Sequence, residues 1–349
     1  MAVSSGDRVK RVRVSLGTAI VLGLGEGKIN AEPTTAYLLT YFEGRCTANC
    51  AFCPQARGSS SRTDMLSRVI WPDFEVKDVT AGIKRAFEDG KIERVCIQAL
   101  NYPGVQDDIL SLVKSIHSEC YVPISVSCQP LNPTGIRMLA EAGVDRVSIA
   151  LDAATEKIFS EVKGEGAGGP YRWDRHLEAL RSALQVLGRG RVTTHLIAGL
   201  GESEKEFIYM VQKCHDMGVF PAVFAFTPIP GTRMANYPRP PIDSYRRIQV
   251  AHYIITRSLG RYEKMRFKNG RLIDFGISGE DLKKIILSGE PFLTSGCPGC
   301  NRPYYNEEPR GPIYNFPRKP SQRDIMEIMA QIGIDYIIAG KSYDRVEEC

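Results

Sequence analysis

Three cysteines within one short segment are the residues of this chain best suited to chemistry. Cys46, Cys50 and Cys53 have the spacing C-x3-C-x2-C, and an aromatic residue, Phe52, directly precedes the last of them. Thiolates are soft ligands that suit iron-sulfur clusters, zinc and copper(I). A structural zinc site takes four protein ligands, whereas three thiolates on a 4Fe-4S cluster leave one iron open to a small molecule. The spacing therefore favours a catalytic, cluster-binding loop over a zinc knuckle or a set of redox cysteines.

The elements on either side of this loop predict where it lies in the fold. An apolar run at residues 36–42 precedes the loop and is typical of a buried strand. Further strand patterns, separated by helical ones, follow at 94–100, 123–128, 145–151, 192–198, 222–227 and 262–268. This repetition predicts an α/β fold of parallel strands joined by right-handed crossovers, closed into a complete eight-stranded (β/α) TIM-type barrel. The cysteine loop is then expected at the mouth formed by the C-terminal strand ends.

The chain divides into three expected segments. Residues 1–35 read as an N-terminal leader segment, in which residues 12–15 and 18–24 are predicted to form short strands. Residues 36–290 are expected to form the barrel core. Residues 291–349 form a predicted C-terminal extension that carries a C-x2-C pair, and residues 289–320 are rich in Pro, Gly, Tyr and Asn.

Composition narrows the class of protein. Hydrophobic residues make up 43% of the chain and charged residues 24%, as in soluble globular proteins, and no apolar run approaches the roughly 20 residues of a spanning helix. Ten cysteines without an evident export signal favour metal ligation and reduced thiols, hence a cytoplasmic location. The net charge of +5 is spread along the chain, so neither a membrane nor a nucleic-acid partner is indicated.

The cysteine spacing resembles the signature of the radical SAM superfamily. Segments from about residue 37 to about residue 335 resemble its biotin synthase-like branch. In that family the open iron is chelated by the amino and carboxylate groups of S-adenosylmethionine (SAM), and an electron from the cluster splits SAM into methionine and a 5'-deoxyadenosyl radical. The resemblance implies a 4Fe-4S cluster and SAM as cofactors and an electron donor such as ferredoxin.

Two segments of the resemblance imply contacts with SAM through charged side chains. Residues 139–152 resemble a strand whose terminal aspartate contacts ribose or substrate, which implies this role for Asp152; a helix-capping aspartate is the alternative. Residues 171–175 resemble the segment that carries an arginine for the carboxylate of SAM. Arg175 is the expected residue and Arg172 the fallback, with a solvated surface arginine as the alternative for either.

A third segment, residues 195–202, resembles the fifth strand of the family and its turn. There the glycines let the backbone approach the adenine and methionine parts of SAM, which implies cofactor contacts at Gly199, Gly201 and Glu202. Phe52, beside the last cysteine of the loop, is included in the same expected cofactor site. His195 either lines the lumen of the barrel or is a core histidine.

The remaining cysteines bear on the reaction. Biotin synthases hold a second, 2Fe-2S cluster with three barrel cysteines and an arginine. Cys96 and Arg266 fall on the matching strands of this chain, but Ser125 and Thr193 stand where the other two cysteines belong. The sequence therefore departs from the complete biotin synthase pattern.

The C-x2-C pair of the extension offers another auxiliary site. Cys297 and Cys300 are expected to reach the same mouth as the first cysteine loop, with Cys128 or Cys96 as a third ligand of an auxiliary cluster. A zinc turn or a redox pair is the alternative. Residues 295–306 and 311–317 resemble the tail of a component of the archaeal two-component lipoyl synthases.

The resemblance implies sulfur insertion into a protein-bound octanoyl chain during lipoyl cofactor synthesis. The implied partners are an octanoyl-lysyl acceptor protein as substrate and a second radical SAM subunit. Two other reactions stay open, a carbon-skeleton rearrangement like that of methylornithine synthase and biotin synthesis. A zinc-binding interaction module is the non-enzymatic alternative.

Overall fold

The computed structural model describes residues 9–307 and 311–333 and has an α/β architecture around one large sheet. Eight strands form this sheet, in the order β10-β9-β8-β7-β6-β2-β1-β5. They are β1 Arg11–Val14, β2 Thr35–Thr40, β5 Asp73–Glu75, β6 Arg94–Gln98, β7 Ile124–Cys128, β8 Arg146–Ile149, β9 Val192–Ala198 and β10 Phe220–Ala225.

Six strands, from β2 to β10 in the sheet order, run parallel, as the alternating strand and helix patterns predict. All six residues of β2 are buried, which is typical of a parallel strand that is covered on both faces. The eight-stranded, mostly parallel sheet confirms the predicted TIM-type α/β fold. It differs in two respects. β1 runs opposite to the other seven strands, because it pairs antiparallel with both β2 and β5. Among the described residues β10 and β5 form the two ends of the strand order, so the predicted closure into a complete eight-stranded barrel is not observed.

Helices connect the parallel strands and cover the outer face of the sheet. They are α2 Val76–Glu88, α3 Val105–His117, α4 Pro133–Glu141, α5 Glu156–Val162, α6 Trp173–Leu187, α7 Glu204–Met217 and α8 Ile242–Thr256, with α1 Leu16–Val21 before them and α9 Gly279–Ser288 and α10 Gln322–Ile332 after them. Local sequence sets their ends: a capping box of Ser203 and Glu206 starts α7, and Gly218 in the left-handed conformation ends it. No helix in the described ranges has the length and apolar character of a membrane-spanning segment.

Two predicted strands are absent from the large sheet. Residues 18–24 begin inside helix α1, where Ala19 N–H donates to the Ser15 carbonyl, so the predicted strand there is wrong. Residues 262–268 contribute only β11 Arg266–Lys268, which pairs with β12 Arg271–Asp274 in a separate hairpin. This stretch carries too many charges for a strand that is buried on both faces. A second short hairpin, β3 Met65–Leu66 with β4 Val69–Ile70, follows the cysteine loop.

The N-terminal strand and the C-terminal residues share a core with the barrel. Val12 and Val14 of β1 and Phe292, Tyr314 and Ile328 of the C-terminal part are buried in the same apolar cluster as the parallel strands. The division at 35/36 and 290/291 stays a prediction. Part of the predicted extension, residues 308–310 and 334–349, lies outside the described residues.

Candidate active site

The three-cysteine loop lies where the sequence predicts, directly after β2 at the C-terminal ends of the parallel strands. Backbone hydrogen bonds anchor it from two sides. Thr47 N–H donates to the Asn101 carbonyl beyond β6 at 2.7 Å, and Ala51 N–H donates to the Val162 carbonyl at the end of α5 at 2.7 Å. The loop is therefore held by the same strand and helix units that form the barrel mouth.

Asn49 ties the loop together with both ends of its side-chain amide. Its Nδ2 donates to the Ala167 carbonyl at 2.7 Å, and its Oδ1 accepts from the Gly58 N–H at 2.9 Å. A Cβ at position 58 would lie 3.0 Å from Oδ1, so the glycine leaves room for this contact. Asn49 thus ties the cysteine loop to the segment after α5 and to Gly58.

The environment of the three thiols fits an iron-sulfur cluster. Asn101 N–H donates to Cys46 Sγ at 3.2 Å, a type of contact that stabilises ligating sulfur. Burial raises the pKa of Cys53 to about 12, and burial also raises the pKa of Cys50, with the charge of Lys163 acting in the opposite direction. Metal binding to these thiols must therefore displace protons.

No three His, Cys, Asp or Glu side chains between residues 9 and 307 or 311 and 333 are gathered tightly enough for a single metal ion. A cluster distributes its ligands over several iron atoms, so its thiols need not converge on one point. Three thiolates on one loop suit a 4Fe-4S cluster with one open iron better than structural zinc, which takes four protein ligands.

Asp152 lies at the end of β8 in a conformation that few aspartates adopt. Its φ is 65°, and its backbone bridges to Leu196 of β9. Its Oδ2 accepts from Lys163 Nζ at 2.6 Å, and both side chains are almost fully buried. This buried ion pair stands beside the cysteine loop, and sequence reasoning identified only the acidic member of it.

The two expected arginines lie on the surface. Arg175 is on the first turn of α6, its side chain is 70% exposed, and it pairs with Glu178 at 2.9 Å. Arg172 precedes the same helix and is 69% exposed. Neither lines the cavity described below, so the structure does not support the expected SAM contact of either one. The sequence correctly predicted that a helix begins here, but it did not show that the side chains of Arg172 and Arg175 face away from the cavity.

The Gly199 and Gly201 turn is braced by Glu202. Gly199 N–H donates to Glu202 Oε1 at 2.7 Å and Leu200 N–H to Oε2 at 3.0 Å. Burial raises the pKa of Glu202 to about 7, although these backbone hydrogen bonds act against the rise. A Cβ at position 199 would lie 2.8 Å from Pro240 Cδ, so this glycine permits a close protein contact. None of the three residues lines the large cavity, so they shape the site only indirectly.

A cavity of about 210 Å³ occupies the interior of the parallel strands. Phe52 and Cys53 line its outer end, and Asp152 lines its wall. His195 also lines it, against the ring of Phe224, and burial lowers the pKa of this imidazole to about 4, so it is neutral near pH 7. Apolar side chains form much of the remaining wall, including Val126, Ile197, Phe226 and Ile229.

Cys96, Cys297 and Cys300 line the inner end of the same cavity. Ser125 Oγ donates to Cys297 Sγ at 3.3 Å, and Tyr37 Oη lies 3.4 Å from Cys300 Sγ. Burial raises the pKa of Cys96, and the nearby Cys297 and Cys300 raise it further. The three thiols thus line the same end of the cavity, although they are not gathered tightly enough to hold a single metal ion.

The C-x2-C pair lies at the opposite end of the strands from the first cysteine loop. Arg94, the first residue of β6, donates to the Pro298 carbonyl at 3.2 Å, and Thr34, just before β2, donates to the Gly299 carbonyl. These contacts place Cys297 and Cys300 under the N-terminal strand ends. The prediction that both cysteine groups share one mouth is therefore wrong, although they share one cavity.

Cys128 and Arg266 do not belong to the inner group. Cys128 is buried at the end of β7 in the apolar core and does not line the cavity. Arg266 is 72% exposed in the β11 hairpin and pairs with Asp274. Of the two candidates for a third inner ligand, the structure brings only Cys96 to the C-x2-C pair.

Arg302 is the charged residue that sequence reasoning missed at the inner end. Its guanidinium lies 3.7 Å from the centre of the Phe224 ring, and its Nη2 donates to the Ser295 carbonyl at 3.1 Å. Burial lowers the pKa of Arg302, but the nearby Cys300 and Tyr37 raise it by more. The pKa of Arg302 therefore lies above its ordinary value. Its position two residues after Cys300 was the available signal, whereas no local pattern marks the burial of Lys163.

Comparison with known proteins gives a family context for the outer cysteine loop. The sequence profile of the radical SAM superfamily matches residues 41–214. The biotin synthase of Desulforudis audaxviator is 26% identical over 264 residues, which cover 72% of this chain and 74% of that protein. The biotin synthase of Chlamydia pneumoniae is 26% identical over 246 residues, covering 67% and 68% of the two chains.

The fold is similar to that of a solved structure. The crystal structure of methylornithine synthase superposes with a TM-score of 0.51 at 15% identity, covering 90% of this chain and 84% of that one. At this identity the likeness concerns the fold alone.

Proposed function

Because the chain belongs to the radical SAM superfamily and its biotin synthase-like branch, we propose that it inserts sulfur into an unactivated carbon chain. One observation carries the proposal. A single cavity is lined by Cys53 at one end and by Cys96, Cys297 and Cys300 at the other. Sulfur insertion needs a site that generates a radical and a separate source of sulfide, and these two groups of thiols can serve them.

Family membership implies a 4Fe-4S cluster and SAM at the outer end, where Cys46, Cys50 and Cys53 would hold the cluster. When bound, these cofactors would supply the radical chemistry that removes hydrogen from the substrate, and a cluster held at the inner end would supply sulfur. The protein surrounds this space with strands and so excludes water from a reactive carbon. Phe52 and Asp152 line the space beside the expected SAM position.

Three thiols and one cation make the inner end suitable for an auxiliary cluster. Cys96, Cys297 and Cys300 supply the soft ligands, and the charge of Arg302 offsets part of the negative charge of such a site. Ser125 and Thr193, which stand where biotin synthases carry cysteines, also line this region. The chain would thus replace two barrel cysteines with two from its C-terminal segment.

The substrate we propose is the octanoyl chain of an octanoyl-lysyl acceptor protein. The apolar walls of the cavity suit an unbranched acyl chain, which needs no polar partner along its length. The tail resemblance noted above supports lipoyl cofactor synthesis and a second radical SAM subunit as partner. A one-electron donor such as ferredoxin would reduce the outer cluster.

Biotin synthesis is a second candidate, which the two relatives at 26% identity favour. Cys96 is present at the inner end as that reaction requires, but serine and threonine replace its two companions. An assay of both products with the same enzyme preparation separates the candidates. Formation of biotin without thiolation of an octanoyl-lysyl peptide would rule out the lead proposal.

The number of clusters tests the proposal most directly. Iron and acid-labile sulfide are measured after anaerobic reconstitution of the wild type, the Cys46→Ala/Cys50→Ala/Cys53→Ala variant and the Cys297→Ala/Cys300→Ala variant. We expect about eight irons in the wild type and about four in each variant. The Cys297→Ala/Cys300→Ala variant should still cleave SAM but should not thiolate the octanoyl-lysyl peptide.

Cys214→Ala is the matched control, because Cys214 is buried on α7 away from both groups of thiols. It should keep about eight irons. Complete loss of iron from the Cys46→Ala/Cys50→Ala/Cys53→Ala variant would mean a single cluster and no sulfur source. A rearrangement without sulfur, as in methylornithine synthase, would then explain the cavity better.

A further inference from the structure

A buried lysine stands next to the cysteine loop and has no role in the reaction described so far. Lys163 follows the last residue of α5, and its side chain is only 6% exposed. Its Nζ donates to Asp152 Oδ2 at 2.6 Å and to the Ala150 carbonyl, and it lies 5.3 Å from the centre of the Tyr171 ring. A lysine is seldom buried in this way unless it is paired.

The position of Lys163 couples it to the cluster loop. Its neighbour Val162 accepts the backbone hydrogen bond of Ala51, the residue directly after Cys50. The positive charge of Lys163 lowers the pKa of the Cys50 and Cys53 thiols, against the larger effect of burial. The negative charge of Asp152 raises the pKa of the same two thiols. The Asp152 side chain also lines the cavity.

The backbone at Asp152 provides a second, independent observation. A φ of 65° is unusual for a residue other than glycine, and such strain is found mostly at functional sites. The conformation directs the carboxylate toward Lys163 and the cavity wall together. The buried carboxylate is paired there with a buried cation, as expected because an isolated buried charge is costly.

We propose that Lys163 is a positioning residue, which holds the Asp152 side chain at the cavity wall through their ion pair and sets the electrical potential around the outer cluster. Reduction adds negative charge to a cluster, so a buried cation nearby favours the reduced form. The Asp152 carboxylate has the opposite effect, and the pair together is nearly neutral. The inference concerns cluster reduction, and it therefore does not depend on sulfur insertion or on the identity of the substrate.

The test is a redox titration of the outer cluster, monitored by electron paramagnetic resonance. It is carried out in the Cys297→Ala/Cys300→Ala background, so that only the outer cluster contributes. Lys163→Met should lower the equilibrium constant for one-electron reduction about tenfold, a shift of about 59 mV to more negative potential. Asp152→Asn should shift the potential in the positive direction.

Three further variants separate the charge from the packing of the side chain. Lys163→Arg keeps the charge and should restore the wild-type potential within about twofold in the equilibrium constant. The Lys163→Met/Asp152→Asn variant removes both charges and should also lie near the wild type. Lys157→Met removes an exposed cation of the same helix and should cause no shift.

The proposal is overturned if Lys163→Met and Asp152→Asn both lie within about twofold of the wild type, or if Lys157→Met shifts the potential equally. If Lys163→Met does not retain its cluster, Asp152→Asn and the double variant decide the question. A wild-type potential in Asp152→Asn then excludes the proposed role. An unchanged count of about eight irons in the parent enzyme shows separately that the sulfur-insertion proposal is unaffected.

Discussion

Arg302 Nη2 lies 3.9 Å from Cys300 Sγ, inside the barrel and below the ring of Phe224. A guanidinium at this distance can offset part of the negative charge that thiolate ligands bring to a metal site. Tyr37 completes the arrangement, since its Oη accepts from the Arg302 backbone N–H at 2.8 Å. The inner cysteines are thus held in an electropositive environment by a residue of their own loop.

Arg302→Met is predicted to weaken the inner cluster selectively. Loss of such a supporting charge typically costs about 10- to 100-fold in metal affinity. The measurement is iron release to a chelator in the Cys46→Ala/Cys50→Ala/Cys53→Ala background, where only the inner cluster is present. Arg266→Met is the control, because Arg266 is exposed in the β11 hairpin. Equal iron release from both variants would show that Arg302 has no such role.

Cys96→Ala is predicted to abolish the inner cluster, whereas Cys128→Ala retains it. Both cysteines are on adjacent parallel strands, but only Cys96 lines the cavity with Cys297 and Cys300. In the background without the outer ligands, Cys96→Ala should fall from about four irons toward none. Iron analysis after reconstitution checks this. Loss of iron in Cys128→Ala with retention in Cys96→Ala would reverse the assignment of the third ligand.

The sequence was most informative where a pattern is local. The C-x3-C-x2-C spacing and the apolar run before it are adjacent in the chain, and together they predicted a loop at the C-terminal end of a strand. The alternation of strands and helices likewise predicted the parallel sheet. These patterns depend on neighbouring residues, so the rest of the fold does not alter them.

Long-range contacts decided what the sequence left open. Pro298 and Gly299 contact Arg94 and Thr34, more than 200 residues earlier, and no local pattern shows which end of the strands they reach. Arg175 and Lys163 show the same limit. Both stand next to a helix end, but only the packed structure shows that the arginine is exposed and the lysine is buried.

Asn49→Ala is predicted to destabilise the outer cluster without removing a ligand. The side chain links the cysteine loop to Ala167 and Gly58, so its loss leaves the loop free to open. We expect about 10-fold faster loss of outer-cluster iron to a chelator, measured in the Cys297→Ala/Cys300→Ala background. Asn49→Asp keeps the acceptor for Gly58 but not the donor, and should show an intermediate rate. Wild-type release from Asn49→Ala would show that the backbone hydrogen bonds alone hold the loop.

Glu202 is predicted to make the stability of the protein depend on pH. Its pKa in the folded protein is about 7, above its ordinary value of 4.5, so the folded state binds the proton more tightly than the unfolded state does. The contribution of Glu202 to stability is therefore fully present below about pH 4.5 and is lost as the pH rises through about 7. The difference in pKa corresponds to at most about 3 kcal/mol.

Thermal unfolding of the wild type and Glu202→Gln is compared between pH 5 and pH 8. Glutamine does not titrate, so the wild type should lose stability relative to this variant across that range. A constant difference between the two proteins at all pH values would show that Glu202 does not change protonation there.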